Sequence, residues 1–273
     1  MSAPAKRAPA RTVEPEEAES SDWKTLVVAV VAALAIRTFV FQSFYVPSES
    51  MLPTLLVGDH VFVSKLAYGV EVPFTPLRVP GYRDPHRGDV AVFQLARDGR
   101  AIYAPDLRPE LRTEAFIKRM VGLPGETVEV RGGMVYIDGV ASAQERTGET
   151  FRDPQGRVYD VIEETLGTCR HQILDDPRIP QIEIPAQKIE AGRYFFLGDN
   201  RDNSYDSRIW GSVRLDSIEG PAGLLYWSWD FVGSWLSLLN PLTWVDNLAT
   251  KTRWERFGSM VRCLPPREGS ASH

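Results

Sequence analysis

Hydrophobic positions along the chain follow two rhythms, and the change falls near Val46. Upstream, apolar residues run unbroken from Leu26 to Ile36, introduced by Trp23-Lys24-Thr25 and continued past Arg37 by Phe39, Val40 and Phe41. As a helix, Trp23 to Val40 would reach roughly 27 Å, close to the hydrocarbon thickness of a bilayer. The pattern predicts a transmembrane anchor over residues 23–41. Ala33-Leu34-Ala35 also offers an A-x-A site of the kind that ends a cleaved secretory signal. Such a signal gives way to a polar flank, whereas here apolar character resumes, and Arg37 can snorkel to the interface. Lys6, Arg7, Arg11 and Lys24 precede the span, which predicts a cytoplasmic N-terminus and the bulk of the chain on the outer side. Residues 1–22, rich in Ala, Pro and Glu and without periodicity, are expected to form a disordered tail.

Beyond Val46 the apolar residues come in short β-branched and aromatic runs cut by Gly, Pro and Asp, the pattern of strands joined by turns. Runs at 60–63, 89–93 and 193–197 read as strands, and those at 128–130 and 134–137 flank Arg131-Gly132-Gly133 as a hairpin. With no repeat and no long amphipathic helix, a mostly antiparallel, all-β fold is expected, carrying polar insertions around 94–112 and 141–182. Aromatics crowd residues 224–254, among them Tyr226, Trp227, Trp229, Phe231, Trp235 and Trp244. These fit either a core or a surface lying against lipid.

At 273 residues the chain is long enough for a sizeable core. Its formal net charge of −5 leaves no basic footprint for phosphate neutralisation, so nucleic acid is not an expected partner. Cys169 and Cys263 stand apart, without a CxxC or Cys/His cluster, so no metal site is expected. Whether they pair is open at this level.

The densest candidate chemistry is Val46-Pro47-Ser48-Glu49-Ser50-Met51-Leu52-Pro53, just before the first strand. A nucleophilic serine needs a base within reach and donors for the developing oxyanion. The four histidines, His60, His86, His171 and His273, are scattered in polar settings. A lysine serves instead if burial keeps it neutral, and Phe116-Ile117-Lys118-Arg119-Met120 sets Lys118 in an apolar stretch; a strand lysine facing water is the plainer reading. A third dense segment runs Leu197-Gly198-Asp199-Asn200-Arg201-Asp202-Asn203-Ser204-Tyr205-Asp206-Ser207-Arg208. It lacks the spacing of a calcium loop and carries two arginines, so carboxylate–guanidinium pairs stiffening a loop explain it better.

These three segments, with Arg87-Gly88-Asp89-Val90-Ala91-Val92-Phe93, resemble the boxes of bacterial type I signal peptidases, in order and at compatible spacing. The resemblance runs from the anchor to about Val213. It implies an all-β Ser/Lys peptidase domain with an inserted smaller β domain, preceded by one transmembrane helix in the bacterial plasma membrane. The implied layout is an extracytoplasmic domain over 42–264, an insertion at about 127–190 and a second disordered tail over 265–273. Ser50 matches the catalytic serine and Lys118 its general base; Ser48, with the Ser50 amide, matches the oxyanion hole, and Ser204 the residue that orients the lysine. Arg119, Asp199, Asp206 and Arg208 match structural supports. Phe44, Val46, Pro47, Leu55 and Ile117 are candidate walls for pockets taking the small side chains of A-x-A sites. The implied partners are signal-peptide-bearing preproteins and the lipid bilayer, with no cofactor and a monomeric chain. Glu49 departs from the pattern, standing where many members have Gly. Another Ser/Lys peptidase of related fold, or a catalytically silent binding protein, are the rival readings; the presence of both Ser50 and Lys118 speaks against the second.

Overall fold

The computed structural model describes residues 19–71, 75, 77–230 and 249–265. The chain divides into two units, residues 1–38 and 39–273. In the first, the apolar run forms a helix, Glu19–Phe39 (α1). Its opening turns carry Glu19, Asp22 and Lys24, and Arg37 lies in its last turn. The 11 apolar residues from Leu26 to Ile36 rise only about 16 Å. Among the described residues no helix is long and apolar enough to cross a membrane; the run expected as an anchor over 23–41 is helical as far as Phe39, and a strand begins at Phe41. Residues 19–22, expected in the tail, are the first turn of α1. The remainder of that tail, residues 266–273 of the second tail, and Phe231, Trp235 and Trp244 lie outside the described residues.

The second unit is mostly β. In chain order its strands are Phe41–Tyr45 (β1), Asp59–Ser64 (β2), Val70–Glu71 (β3), Arg78–Val79 (β4), Val90–Asp98 (β5), Ala101–Tyr103 (β6) and Thr113–Gly122 (β7). There follow Thr127–Arg131 (β8), Met134–Ile137 (β9), Val140–Ala141 (β10), Ala143–Arg152 (β11), Val158–Leu166 (β12), Cys169–Asp175 (β13) and Ile184–Lys188 (β14). Arg193–Leu197 (β15), Val213–Arg214 (β16) and Ile218–Ser228 (β17) complete the set. An eight-stranded sheet runs β1-β2-β17-β5-β7-β15-β16, with β6 paired to β5; β10-β9-β8-β14, β11-β12-β13 and β3-β4 form separate sheets. All the strands between β7 and β15 therefore pair among themselves. The stretch expected as polar insertion at 94–112 is partly strand, because Gln94 to Asp98 extend β5 and pair with β6 and β7.

Sequence pattern explains the main sheet. In β2, Val61 and Val63 alternate inward with no exposed surface, while the residues between them are half-buried. Strand β5 lies between β17 and β7 and is buried on both faces: Val90 and Val92 pack with Val46, Met51, Leu55 and Ile117, whereas Ala91, Phe93 and Leu95 pack with Met120, Phe196 and Trp210. The Gly132-Gly133 turn between β8 and β9 has both residues at positive φ, 56° and 76°, as a two-residue hairpin of this twist requires. Cys169 and Cys263, 94 residues apart, form a disulfide, answering what the sequence left open.

Candidate active site

The short 3-10 turn Glu49–Met51 follows β1 and carries Ser50 inward. Its N-cap, Ser48, makes no side-chain capping bond, which frees the Ser48 hydroxyl to lie 3.2 Å from Ser50 Oγ. Opposite stands β7, whose first half is exposed and second half buried. The two-residue period puts Phe116, Lys118 and Met120 on one face and Ile117 and Arg119 on the other. Lys118 Nζ donates to Ser50 Oγ. Only 4 % of Lys118 is exposed. Burial pushes its pKa down from 10.5 to about 8; Asp206 and Asp199 restrain the fall, and Arg208 adds to it. The lysine is thus buried, not the solvent-facing strand residue of the plainer reading.

A cavity of about 580 Å³ opens beside the pair, lined by Ser48, Ser50, Lys118, Ser204, Phe116 and Ile102, among others. None of the five residues expected to wall the A-x-A pockets is among those lining this cavity. Val46, Leu55 and Ile117 are buried in the core cluster, Phe44 packs against that cluster, and Pro47 is exposed. The strand period is the reason for Ile117: its neighbour Phe116 takes the cavity side. Ser204 is on the cavity wall, but its Oγ is buried without a hydrogen-bond partner and makes no bond to Lys118.

The four expected supports form two buried ion pairs. Arg119 grips Asp199 through two bonds, Nε to Oδ1 at 2.8 Å and Nη2 to Oδ2 at 2.6 Å, and donates to Gly88 O at 2.8 Å. Thr54 Oγ1 adds a third donor to Asp199 at 2.5 Å. Burial alone would raise the Asp199 carboxyl, but Arg119 beside it holds it below the usual carboxylate range. Asp206 receives Arg208 Nε at 2.8 Å and Nη2 at 2.9 Å, and caps the short helix Ser207–Trp210. Its Oδ2 also accepts from Gly198 N at 3.0 Å, tying the end of β15 to the turn. Gly198 has no room for a side chain: a Cβ there would stand 2.2 Å from Ser204 Oγ and 2.5 Å from Ser50 O.

Sequence reasoning missed a further set. Arg201 pairs with Glu164 of β12, which also accepts from Ser142 at 3.0 Å and Gln144 at 2.9 Å. Asn200 holds the Ser50 turn by its backbone, N to Ser50 O at 3.1 Å, and by its amide, Nδ2 to Glu49 O at 3.2 Å. His171 is not in a polar surface setting: it is 2 % exposed, beside Glu164 and Asp199. Its pKa is lowered first by burial and then by Arg119. Nothing in the local sequence separates Glu164 or His171 from ordinary strand residues, since their partners are distant in the chain.

A mostly β domain that sets a buried lysine amine on a serine hydroxyl defines a serine endopeptidase. The family model described as signal peptidase, peptidase S26, matches residues 21–227. Signal peptidase I of Pseudomonas aeruginosa is 36 % identical over 220 residues, spanning 76 % of this chain and 72 % of its own. That of Leptolyngbya laminosa is 38 % identical over 204 residues, covering 75 % and 77 %; that of Pseudomonas fluorescens is 34 % identical over 218, covering 76 % and 72 %. The chain belongs to the signal peptidase family, peptidase S26.

Proposed function

We propose that this peptidase removes N-terminal signal peptides from exported preproteins with Ser50 as nucleophile and Lys118 as general base. One observation carries the reading: an almost wholly buried amine, with its pKa down to about 8, donating to the hydroxyl of a serine that lines an open cavity. Neutral Lys118 takes the Ser50 proton as Oγ attacks the scissile carbonyl. The tetrahedral oxyanion forms between the Ser48 hydroxyl and the Ser50 amide, and such donors contribute a few kcal/mol in a water-excluded site. Collapse to the acyl-enzyme expels the new amine of the mature protein, protonated by Lys118. The lysine then activates water, which releases the signal peptide. Ser204, whose hydroxyl lacks a partner, is read as the group that orients Lys118 once the amine leaves Ser50. Arg119, Asp199, Asp206 and Arg208 keep the two loops rigid.

For substrate, β7 offers an edge. Residues 113–118 pair with β5 on one side, while β15 pairs only from Arg119 onward, which leaves main-chain groups for an extended peptide. Small side chains at the A-x-A positions would settle on the apolar bed to which Phe44, Val46, Leu55 and Ile117 belong, with Pro47 at its rim. Membrane attachment is assigned to the N-terminal segment: Leu26, Val28 and Leu34 of α1 are among its exposed apolar residues, and a helix apolar on all sides suits lipid. The positive charges ahead of it put the N-terminus in the cytoplasm and the peptidase outside.

Incubating the detergent-purified chain with a preprotein bearing an A-x-A site should give one cut after the second Ala, and Ser50→Ala none. Turnover by Ser50→Ala would overturn the assignment. In membranes washed with alkaline carbonate the full chain should stay in the pellet and a chain starting at Phe39 should not; the cut falls there because Phe41 already pairs with Ser64.

A further inference from the structure

Glu49 sits between the two serines of the site, and its carboxylate is not directed to solvent. Only 11 % of its side chain is exposed. Oε2 accepts from Asn203 Nδ2 at 3.1 Å and from Arg157 Nη2 at 2.8 Å. Asn203 belongs to the loop that carries Asn200 and Ser204; Arg157 precedes β12, in the three-stranded sheet. The guanidinium is oriented beforehand, because Asp153 takes its Nε at 2.5 Å and Tyr159 lies 5.8 Å beneath it. The same sheet meets the turn a second time: Leu52, two residues after Ser50, packs with Tyr159, Val161 and Leu174.

The turn needs such a hold. It is only three residues long and its N-cap makes no side-chain capping bond; beside the burial of Met51 in the core, the bonds to its carbonyls and to the Glu49 carboxylate hold it. Asn200 secures the carbonyls of Glu49 and Ser50. We infer that Glu49 is a positioning residue: through Arg157 and Asn203 it clamps the nucleophile's turn to the inserted sheet and to the Ser204 loop, and so sets where the Ser50 hydroxyl stands relative to Lys118. The inference rests on the Ser50/Lys118 reading. Arg157 is 44 % exposed, so the clamp adds little to global stability; its effect is geometric, and displacements of about 1 Å at a reacting atom cost up to about 100-fold in rate.

The test uses the full chain in detergent micelles with an A-x-A precursor. Glu49→Ala should lower kcat about 10-fold or more, with melting temperature and the pH midpoint of activity unchanged, because the burial and the charged neighbours that set the Lys118 pKa, Asp206, Asp199 and Arg208, stay in place. Glu49→Gln, which still offers an acceptor oxygen to both partners, should recover most of the rate. Arg157→Ala should fall part of the way, and Glu49→Ala/Arg157→Ala should be no slower than Glu49→Ala alone. Wild-type kcat in Glu49→Ala, additive losses in the double variant, or a loss that tracks melting temperature would each overturn the inference. Ser50→Ala runs alongside: activity there would sink the underlying reading, whereas an inactive Ser50→Ala beside an unimpaired Glu49→Ala would sink the clamp alone.

Discussion

At the scale of single residues, Lys118 shows how one strand position becomes chemical. An exposed lysine at neutral pH is almost wholly protonated and cannot act as a base. Burial changes that, moving the value from 10.5 to about 8. Activity should therefore rise with pH through about 8, as the neutral amine becomes the main form, and Lys118→Arg should be inactive because guanidinium stays charged; a pH–rate profile flat across that range would contradict the role. The same shift carries a stability cost. The unfolded lysine holds its proton up to about 10.5 while the folded one releases it near 8, so the cost is full below about 8, shrinks as pH rises between the two values, and is gone above the higher one. At neutral pH it amounts to about 3 kcal/mol. Lys118→Met should accordingly be inactive yet more resistant to urea at pH 7, with the advantage fading towards pH 10.

At the scale of elements, the site depends on how a turn after β15 closes against the turn before β2. Gly198 is the contact point, and the atoms a side chain would strike include the carbonyl of Ser50 itself, 2.5 Å away. A flexible side chain can yield; a backbone carbonyl held by Asn200 cannot. Gly198→Ala should lower stability by about 1–3 kcal/mol and lower kcat as well, because the strain falls on Ser50. Full activity with an unchanged unfolding midpoint would show that the two turns are free to separate. The ion pairs flanking this contact are bidentate and buried, so their value is in fixing loops more than in net stability.

At the scale of the molecule, the disulfide joins β13 of the inserted region to the end of the described chain, closing a loop between residues 94 positions apart. In the chain-entropy account a loop of that length stabilises by about 4–5 kcal/mol, chiefly by restricting the unfolded chain. Cys169→Ser/Cys263→Ser should therefore unfold at lower urea while retaining its active-site geometry under native conditions, since neither Ser50 nor Lys118 bonds to either cysteine. A variant as stable as the parent would show that packing around Cys169 suffices.

The sequence by itself determined the β character of the chain, the Gly132-Gly133 hairpin and the identity of Ser50 and Lys118 as candidates, because these are written in local alternation, turn chemistry and short motifs. It placed the strands of residues 60–63, 89–93 and 193–197 within a few positions of β2, β5 and β15. It did not show which side of β7 faces the cavity, where Phe116 stands and Ile117 does not, nor that the N-terminal helix gives way to a strand at Phe41. Nor did it reach Glu164, Asn200, Arg157 and His171, or the pairing of Cys169 with Cys263. All of these are contacts between residues far apart in the chain. Their energies come from burial, and burial is set only when the sheets close: the same lysine, glutamate or histidine is a solvated surface group until tertiary structure removes its water.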